Sequence, residues 1–323
     1  MGRVLALVLS TAALAVMGVH VAGARSTSRS APTTGVVDIE TNLAYQNGAA
    51  AGTGMVLTPS GEVLTNNHVI RGATTITVLV PSTHKRYPAR VVGYDVTADV
   101  ALLQLKGASG LATVSVGNSS HLTRGQAVSA IGNAGGTRTL STTTGTITGL
   151  ARTITVGDDL GGSERLSGLI ETNASLEPGD SGGPLLDSSG RVIGMDTAAS
   201  AGFRFRGASD GYAIPIGRAR AIVSQIAAGR ASAQVHVGNT AFLGVSLQSN
   251  VVARIVSGSP VARAGIVAGD MLTRLNGRPI ASSADVVRAL LPKHPGDTVT
   301  LAWADGAGLA HSASITLASG PPQ

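Results

Sequence analysis

The sequence predicts a mainly β protein of two domains, a strand-and-turn-rich sandwich or barrel followed by a small α+β unit. Three observations carry this. The chain has 323 residues, about twice the ~150 residues of an ordinary domain. Only 13% of residues are charged, against 43% hydrophobic and 2% aromatic, with 43 glycines and 13 prolines; that is too apolar for charge-driven disorder and rich in turn formers. From Val36 to about Pro215, β-branched or Leu-rich runs alternate with Gly, Asn, Asp or Ser, the pattern of many short antiparallel strands.

The chain opens with Arg3, an uncharged run from Val4 to Val19 and the small residues Ala22-Gly23-Ala24. This is the n-region, h-region and cleavage-site order of a secretory signal peptide, residues 1–24. The run is shorter than the ~20 residues that span a bilayer, so cleavage after Ala24 is expected and the protein is expected to be secreted or extracytoplasmic. The alternative is a membrane tether through an uncleaved segment. Residues 25–35, rich in Ser, Thr and Pro, read as a disordered lead-in.

Within residues 36–229 the strand signals include Gly54–Leu57, Thr75–Val80, Val100–Leu105, Thr146–Thr148 and Arg191–Met195. The first helical pattern comes late: Ile216, Ala219, Ile222, Val223 and Ile226 recur at helical spacing and stop before Gly229, which closes the first domain. Residues 230–240 read as a small, polar linker. The second domain, 241–318, has strands at Arg254–Val256 and Met271–Leu275 and a short helical segment near Val261–Ala264. It also has an Asn276-Gly277 turn, a capping box at Ser282–Asp285 leading into a helix, and two last strands. Residues 319–323 read as a tail.

Composition removes several function classes. Without cysteine there is no disulfide, thiolate zinc site, iron–sulfur cluster or cysteine nucleophile. The net charge of +6 is carried by basic residues scattered singly, not by the Lys/Arg runs that follow a nucleic-acid backbone, so no nucleic-acid partner is expected.

The most specific feature is Gly179-Asp180-Ser181-Gly182-Gly183-Pro184. A serine hydroxyl is a poor nucleophile at neutral pH and needs a base and oxyanion donors. Small flanking residues let a carbonyl approach, and Gly179 can turn its N–H toward the point served by that of Ser181. The same residues fit the Gly-x-Ser-x-Gly elbow of α/β-hydrolases, but Pro184-Leu185-Leu186 leads to a strand and not to the helix that fold requires. Upstream, Leu64–Ile70 ends a strand with His68, and Asp99 begins the apolar run Val100–Leu103. A carboxylate at such an edge is costly unless hydrogen-bonded, and an imidazole N–H suits it. His68, Asp99 and Ser181 stand in the chain order of double-barrel serine proteases of the chymotrypsin type.

Thr65–Val69, Asp99–Leu103, Thr172–Pro184 and Gly211–Pro215 resemble the successive signatures of HtrA/DegP-type serine proteases, most closely the secreted PepA-like branch. Phe242–Val245, Ser259–Ile266, Gly269-Asp270 and Leu275–Gly277 resemble the PDZ domain that follows in that family. The resemblance covers about residues 36–318. It implies a chymotrypsin-like double β-barrel with a C-terminal PDZ domain, endopeptidase action on unfolded or misfolded proteins in protein quality control, and no cofactor. By motif, Ser181 is the nucleophile, His68 the general base and then acid, Asp99 the orienting carboxylate, and the N–H groups of Gly179 and Ser181 the oxyanion hole. Two departures stand out: Asp180 and Asp196 each replace an asparagine common in the family.

By the same resemblance Leu176, Ala198 and Ala199 line the S1 pocket. Ser175, six before the nucleophile, is not the acid that selects Lys or Arg, so small aliphatic P1 residues are expected. In the second domain Phe242, Leu243, Gly244 and Val245 form a loop for a peptide's C-terminal carboxylate, and Val286 and Leu290 face the groove. The expected partners are unfolded protein or peptide substrates and C-terminal peptides at the PDZ domain, with a homotrimer as the family's usual assembly. The competing reading is a chaperone-like peptide-binding protein with weak or no protease activity.

Overall fold

The computed structural model describes residues 33–157, 163–197 and 211–323. The signal-peptide segment, most of the lead-in, Ala198 and Ala199 lie outside the described residues.

The first barrel is built from β1 (Val36–Leu43), β2 (Gly48–Val56), β3 (Glu62–Thr65), β4 (Thr75–Val80), β5 (Lys85–Asp95) and β6 (Val100–Leu105), with the one-turn helix α1 (Asn67–Ile70) after β3. Its antiparallel order β5-β4-β1-β2-β3-β6 is closed by pairing of β5 with β6. Strand β6 shows why the sequence pattern is uniformly apolar. Ala101, Leu103 and Leu105 fill the barrel interior, while Val100 and Leu102 face a cluster shared with the second barrel. Both faces of the strand are therefore dry.

The second closed barrel has the order β10-β11-β12-β9-β8-β7. Its strands are β7 (Ala127–Gly132), β8 (Ser141–Gly157), β9 (Ser163–Thr172), β10 (Pro184–Leu186), β11 (Val192–Asp196) and β12 (Gly211–Pro215). Val128, Ala130, Ile147, Ile170, Leu185 and Ala213 fill its interior. Helix α2 (Ile216–Ala227) follows. Its apolar stripe packs on the Val100/Leu102 cluster, each large side chain contributing about 1.5–3 kcal/mol by leaving water. The helix stops at Gly229, whose φ of 70° is a conformation that suits glycine at a helix C-terminus.

The stretch expected as a polar linker is partly ordered. It carries β13 (Val235–Val237), which adds to the first barrel's sheet beside β5, and begins β14 (Thr240–Phe242). The second domain's sheet has the order β15-β16-β17-β19-β20, from β15 (Val245–Gln248), β16 (Val251–Ile255), β17 (Met271–Leu275), β19 (Thr298–Ala304) and β20 (Ala310–Thr316), with β18 (Arg278–Pro279) on β17. Helices α3 (Pro260–Arg263) and α4 (Ser283–Leu290) complete it, and α4 starts at the predicted capping box of Ser282 and Asp285. The tail is also ordered: β21 (Ala318–Gly320) pairs with β14.

Several contacts seat the second domain on the first barrel. The carbonyl of Leu291, just past α4, lies 2.7 Å from His236 Nδ1. The Phe242 ring stacks on Tyr45 at 5.4 Å. Asn67 Nδ2 donates to the Gln323 carbonyl at 3.0 Å, and the Gln323 N–H donates to Tyr94 Oη at 3.3 Å.

Candidate active site

His68 does not end a strand, as its sequence context suggested; it sits in α1, a single turn anchored by Val69 and Ile70 in the barrel core. That turn aims the imidazole at the loop before β6. His68 Nδ1 is 2.8 Å from Asp99 Oδ2, and the His68 backbone N–H donates to Asp99 Oδ1 at 2.9 Å. Both carboxylate oxygens are thereby used, as a buried acid requires. With Nδ1 facing a carboxylate, the ring proton resides there and Nε2 is the basic nitrogen.

Asp99 adopts a φ of 56°, an uncommon left-handed backbone for a residue with a Cβ. Two neighbours hold it. Asn66 Nδ2 donates to its carbonyl at 3.0 Å, and Asp95 Oδ1 accepts the Ala98 N–H at 2.9 Å, closing the preceding turn. A third contact crosses between barrels: Thr197 Oγ1 donates to Asp99 Oδ2 at 3.1 Å. Thr197 directly precedes the expected pocket residues Ala198 and Ala199, and nothing in the sequence signalled this bond.

Ser181 lies in a turn stitched on all sides. The Thr53 N–H donates to the Ser181 carbonyl at 2.8 Å, the Gly182 N–H to the Asp196 carbonyl at 2.9 Å, and the Gly183 N–H to the Asp180 carbonyl at 2.9 Å. Thr53 Oγ1 donates to the Gly179 carbonyl at 2.7 Å. Thr53 thus links the serine turn to β2, and Thr65 Oγ1, on the strand leading to His68, donates to the Thr53 carbonyl at 2.8 Å. Gly179 has a φ of 103°, and a Cβ there would overlap the Asn133 carbonyl oxygen; no other residue fits.

Carbonyl orientation says where the turn's N–H groups point, because the two are opposed across a trans peptide. The Pro178 carbonyl accepts from Gly135 at 2.7 Å and the Asp180 carbonyl from Gly183. The N–H groups of Gly179 and Ser181 therefore face away from these partners. Such a pair of backbone donors can stabilise a developing oxyanion.

The surrounding acids are perturbed by burial. Asp180 is pushed up to about 6 because desolvation outweighs the N–H it accepts from Glu177. Asp196 is raised well above the usual carboxylate range by complete burial, with the charge of Asp180 adding to the effect. Asp38, at the side of β1, is also pushed to about 6 by desolvation and by Glu40, against the opposing pull of Arg138 and Arg86.

Leu176 is half-buried and packs on the interior cluster of the second barrel. In the second domain, Gly244 (φ 84°) lies so close to Ser259 that a Cβ would overlap it. The Val261 N–H donates to the Leu243 carbonyl at 3.2 Å, and the Val256 N–H to the Gly244 carbonyl at 2.9 Å. The second bond makes Val245–Ile255 a non-hydrogen-bonded pair of the β15–β16 ladder, so Val245 turns its own N–H and C=O to the open edge of β15. Val286 and Leu290, 7% and 4% exposed, pack in the domain core with Leu247 and Val252.

Residues 52–195 match the family of trypsin-like peptidase domains and residues 202–304 that of PDZ domains. The chain is 33% identical over 306 residues to the serine protease PepD of Mycobacterium tuberculosis, covering 87% of this chain and 63% of that protein. It is 32% identical over 266 residues to the periplasmic pH-dependent serine endoprotease DegQ of Escherichia coli, covering 77% of this chain and 55% of DegQ. It thus spans less than two thirds of the length of these relatives. A solved structure of the HtrA-type protease AlgW with a tripeptide shares the fold at a TM-score of 0.53 and 25% identity, covering 91% of this chain and 96% of AlgW. The chain belongs to the HtrA-type serine proteases, in which a trypsin-like peptidase domain precedes a PDZ domain.

Proposed function

We propose that this chain is an extracytoplasmic serine endopeptidase that cleaves unfolded or misfolded polypeptides. The observation that carries the reading is the 2.8 Å contact of His68 Nδ1 with Asp99 Oδ2, together with a glycine-flanked serine turn tied through Thr53 to the strands that hold His68. Ser181 Oγ attacks the scissile carbonyl while His68 Nε2 takes its proton. The tetrahedral oxyanion is received by the N–H groups of Gly179 and Ser181. His68 then passes the proton to the leaving amine, and water repeats the sequence on the acyl-enzyme. Asp99 holds the productive tautomer and balances the imidazolium.

The extracytoplasmic setting rests on the leader-like first 24 residues and on the periplasmic relative. No helix among the described residues is long and apolar enough to cross a membrane. The PDZ domain takes the C-terminus of a peptide at Phe242–Val245 by addition to β15, and modulates the peptidase from its seat on the first barrel. A purely chaperone-like role is not favoured, because binding alone has no use for a buried carboxylate that orients an imidazole.

The deciding experiment compares casein cleavage and fluorophosphonate labelling of the wild type and Ser181→Ala. Both are expected in the wild type and lost in the variant. Labelling that survives the substitution overturns the assignment of the nucleophile.

A further inference from the structure

Asp196, like Asp180, is an acid near the serine turn with no place in that mechanism. It is fully buried at the end of β11, and neither of its carboxyl oxygens has a hydrogen-bond partner among the described residues. Its direction follows from the register, since residues opposite one another in an antiparallel ladder share a face, as do residues two apart along a strand. Asp196 stands opposite Ala213, a member of the apolar interior of the second barrel. Gly194, two residues earlier, faces the same interior, where a Cβ would lie 3.1 Å from Ala213 Cβ and 3.2 Å from Ile170 Cδ1. Thr197 points the opposite way, to Asp99. The Asp196 carboxyl therefore projects into the barrel.

One layer above, toward the end of β12 where the strand begins, is Gly211, two residues before Ala213 and on the same face. A Cβ on Gly211 would lie 2.6 Å from Leu176 Cγ and 3.0 Å from the Ala174 carbonyl oxygen. The Leu176 side chain thus reaches the wall at Gly211, one layer from Ala213 and Asp196, half-exposed itself and packed on the interior cluster. Leu176 also lies five residues before Ser181, on the segment that leads into the serine turn.

We propose that Leu176 determines P1 specificity as a plug: it stops the substrate side chain at the level of Gly211 and seals off Asp196, an acid placed to receive a basic P1 residue. The inference rests on the peptidase reading and extends it from a merely apolar pocket to a shallow one built over a latent acidic site. Burial favours the un-ionised form of this carboxyl, the form that costs less among apolar neighbours. A Lys or Arg side chain admitted beside it favours the ionised form through charge pairing.

The test measures kcat/KM on matched peptides with P1 Ala, Val, Lys or Arg, and in parallel the binding of p-aminobenzamidine, a cationic probe that reports the pocket without catalysis. Wild type is expected to prefer Ala and Val and to leave the probe unbound. Leu176→Ala is expected to raise the Lys-or-Arg over Ala ratio by at least about tenfold and to bind the probe, because a paired buried acid discriminates strongly by charge. Adding Asp196→Asn to Leu176→Ala is expected to abolish both gains. Leu176→Val, a gentler shortening, supplies the same comparison if the alanine variant does not fold. An unchanged ratio and no probe binding on shortening Leu176, or gains that survive Asp196→Asn, overturn the proposal. Probe binding that follows the expected pattern in an enzyme that cleaves no peptide sustains the pocket assignment and overturns the peptidase reading alone.

Discussion

Thr197 Oγ1 donates to Asp99 Oδ2, the same oxygen that faces His68 Nδ1. Thr197 directly follows β11 in the second barrel, whereas Asp99 and His68 belong to the first, so this hydroxyl ties the Asp99 carboxylate to the other barrel. Hydrogen bonds to charged groups are worth about 1.5–3 kcal/mol. Thr197→Val, which keeps the shape and removes the donor, is expected to lower kcat by roughly 10–100-fold, each ~1.4 kcal/mol being tenfold. Thr197→Ser is expected to restore most of it. Equal rates for the valine and serine variants in steady-state peptide hydrolysis count against the hydroxyl.

Asp99→Asn is expected to fold normally and to lose about 10⁴ in kcat, since an amide at this position favours the wrong imidazole tautomer. Circular dichroism and active-site titration separate this from unfolding. A loss of less than tenfold removes Asp99 from the orienting role.

Gly179→Ala tests the oxyanion turn. Its φ of 103° and its contact with the Asn133 carbonyl leave no room for a methyl group, so the turn must shift and carry its donor away. A fall of about 10²–10³ in kcat with little change in KM is expected, the scale of losing one oxyanion donor. A change confined to KM assigns the turn to substrate binding instead.

Asp38 links stability to pH. Its carboxyl is raised from 3.8 to about 6 in the folded protein, so the fold favours the protonated form. That contribution is fully present below about 3.8 and is lost as pH rises through about 6. Asp38→Asn removes the charging penalty and is expected to raise the unfolding free energy at pH 8 by at most about 3 kcal/mol, from ~1.36 kcal/mol per pH unit, and with it Tm, with little effect near pH 4. Asp180, also pushed to about 6, keeps part of the slope in the variant. A Tm gain of equal size at both pH values contradicts the linkage.

The PDZ loop is tested with peptide C-termini. Titrating free-acid and amidated forms of one peptide into the full chain carrying Ser181→Ala is expected to show a loss of about 1–3 kcal/mol on amidation, the scale of buried donors left without their anion. Equal affinities exclude recognition of the carboxylate by Phe242–Val245.

The sequence by itself determined the strand-rich first domain, the α2 stripe and the capping box of α4, and it singled out His68, Asp99 and Ser181 as the candidate triad. These features are encoded over a few neighbouring residues, in period-2 or period-3.6 patterns and in glycines that only special backbone angles require. Tertiary structure decided what neighbours cannot encode. His68 rides a one-turn helix because Val69 and Ile70 are drawn into the barrel core, although the local pattern reads as the end of a strand. Val235–Val237 became a strand because the edge of β5 offered it partners, and the last residues were ordered by Phe242, Asn67 and Tyr94. Thr197 meets Asp99 across 98 positions, and Leu176 meets Gly211 only once the second barrel has closed. A side chain's partner across that distance is selected by strand register and barrel closure, which are properties of the whole packed core and not of any local stretch of sequence.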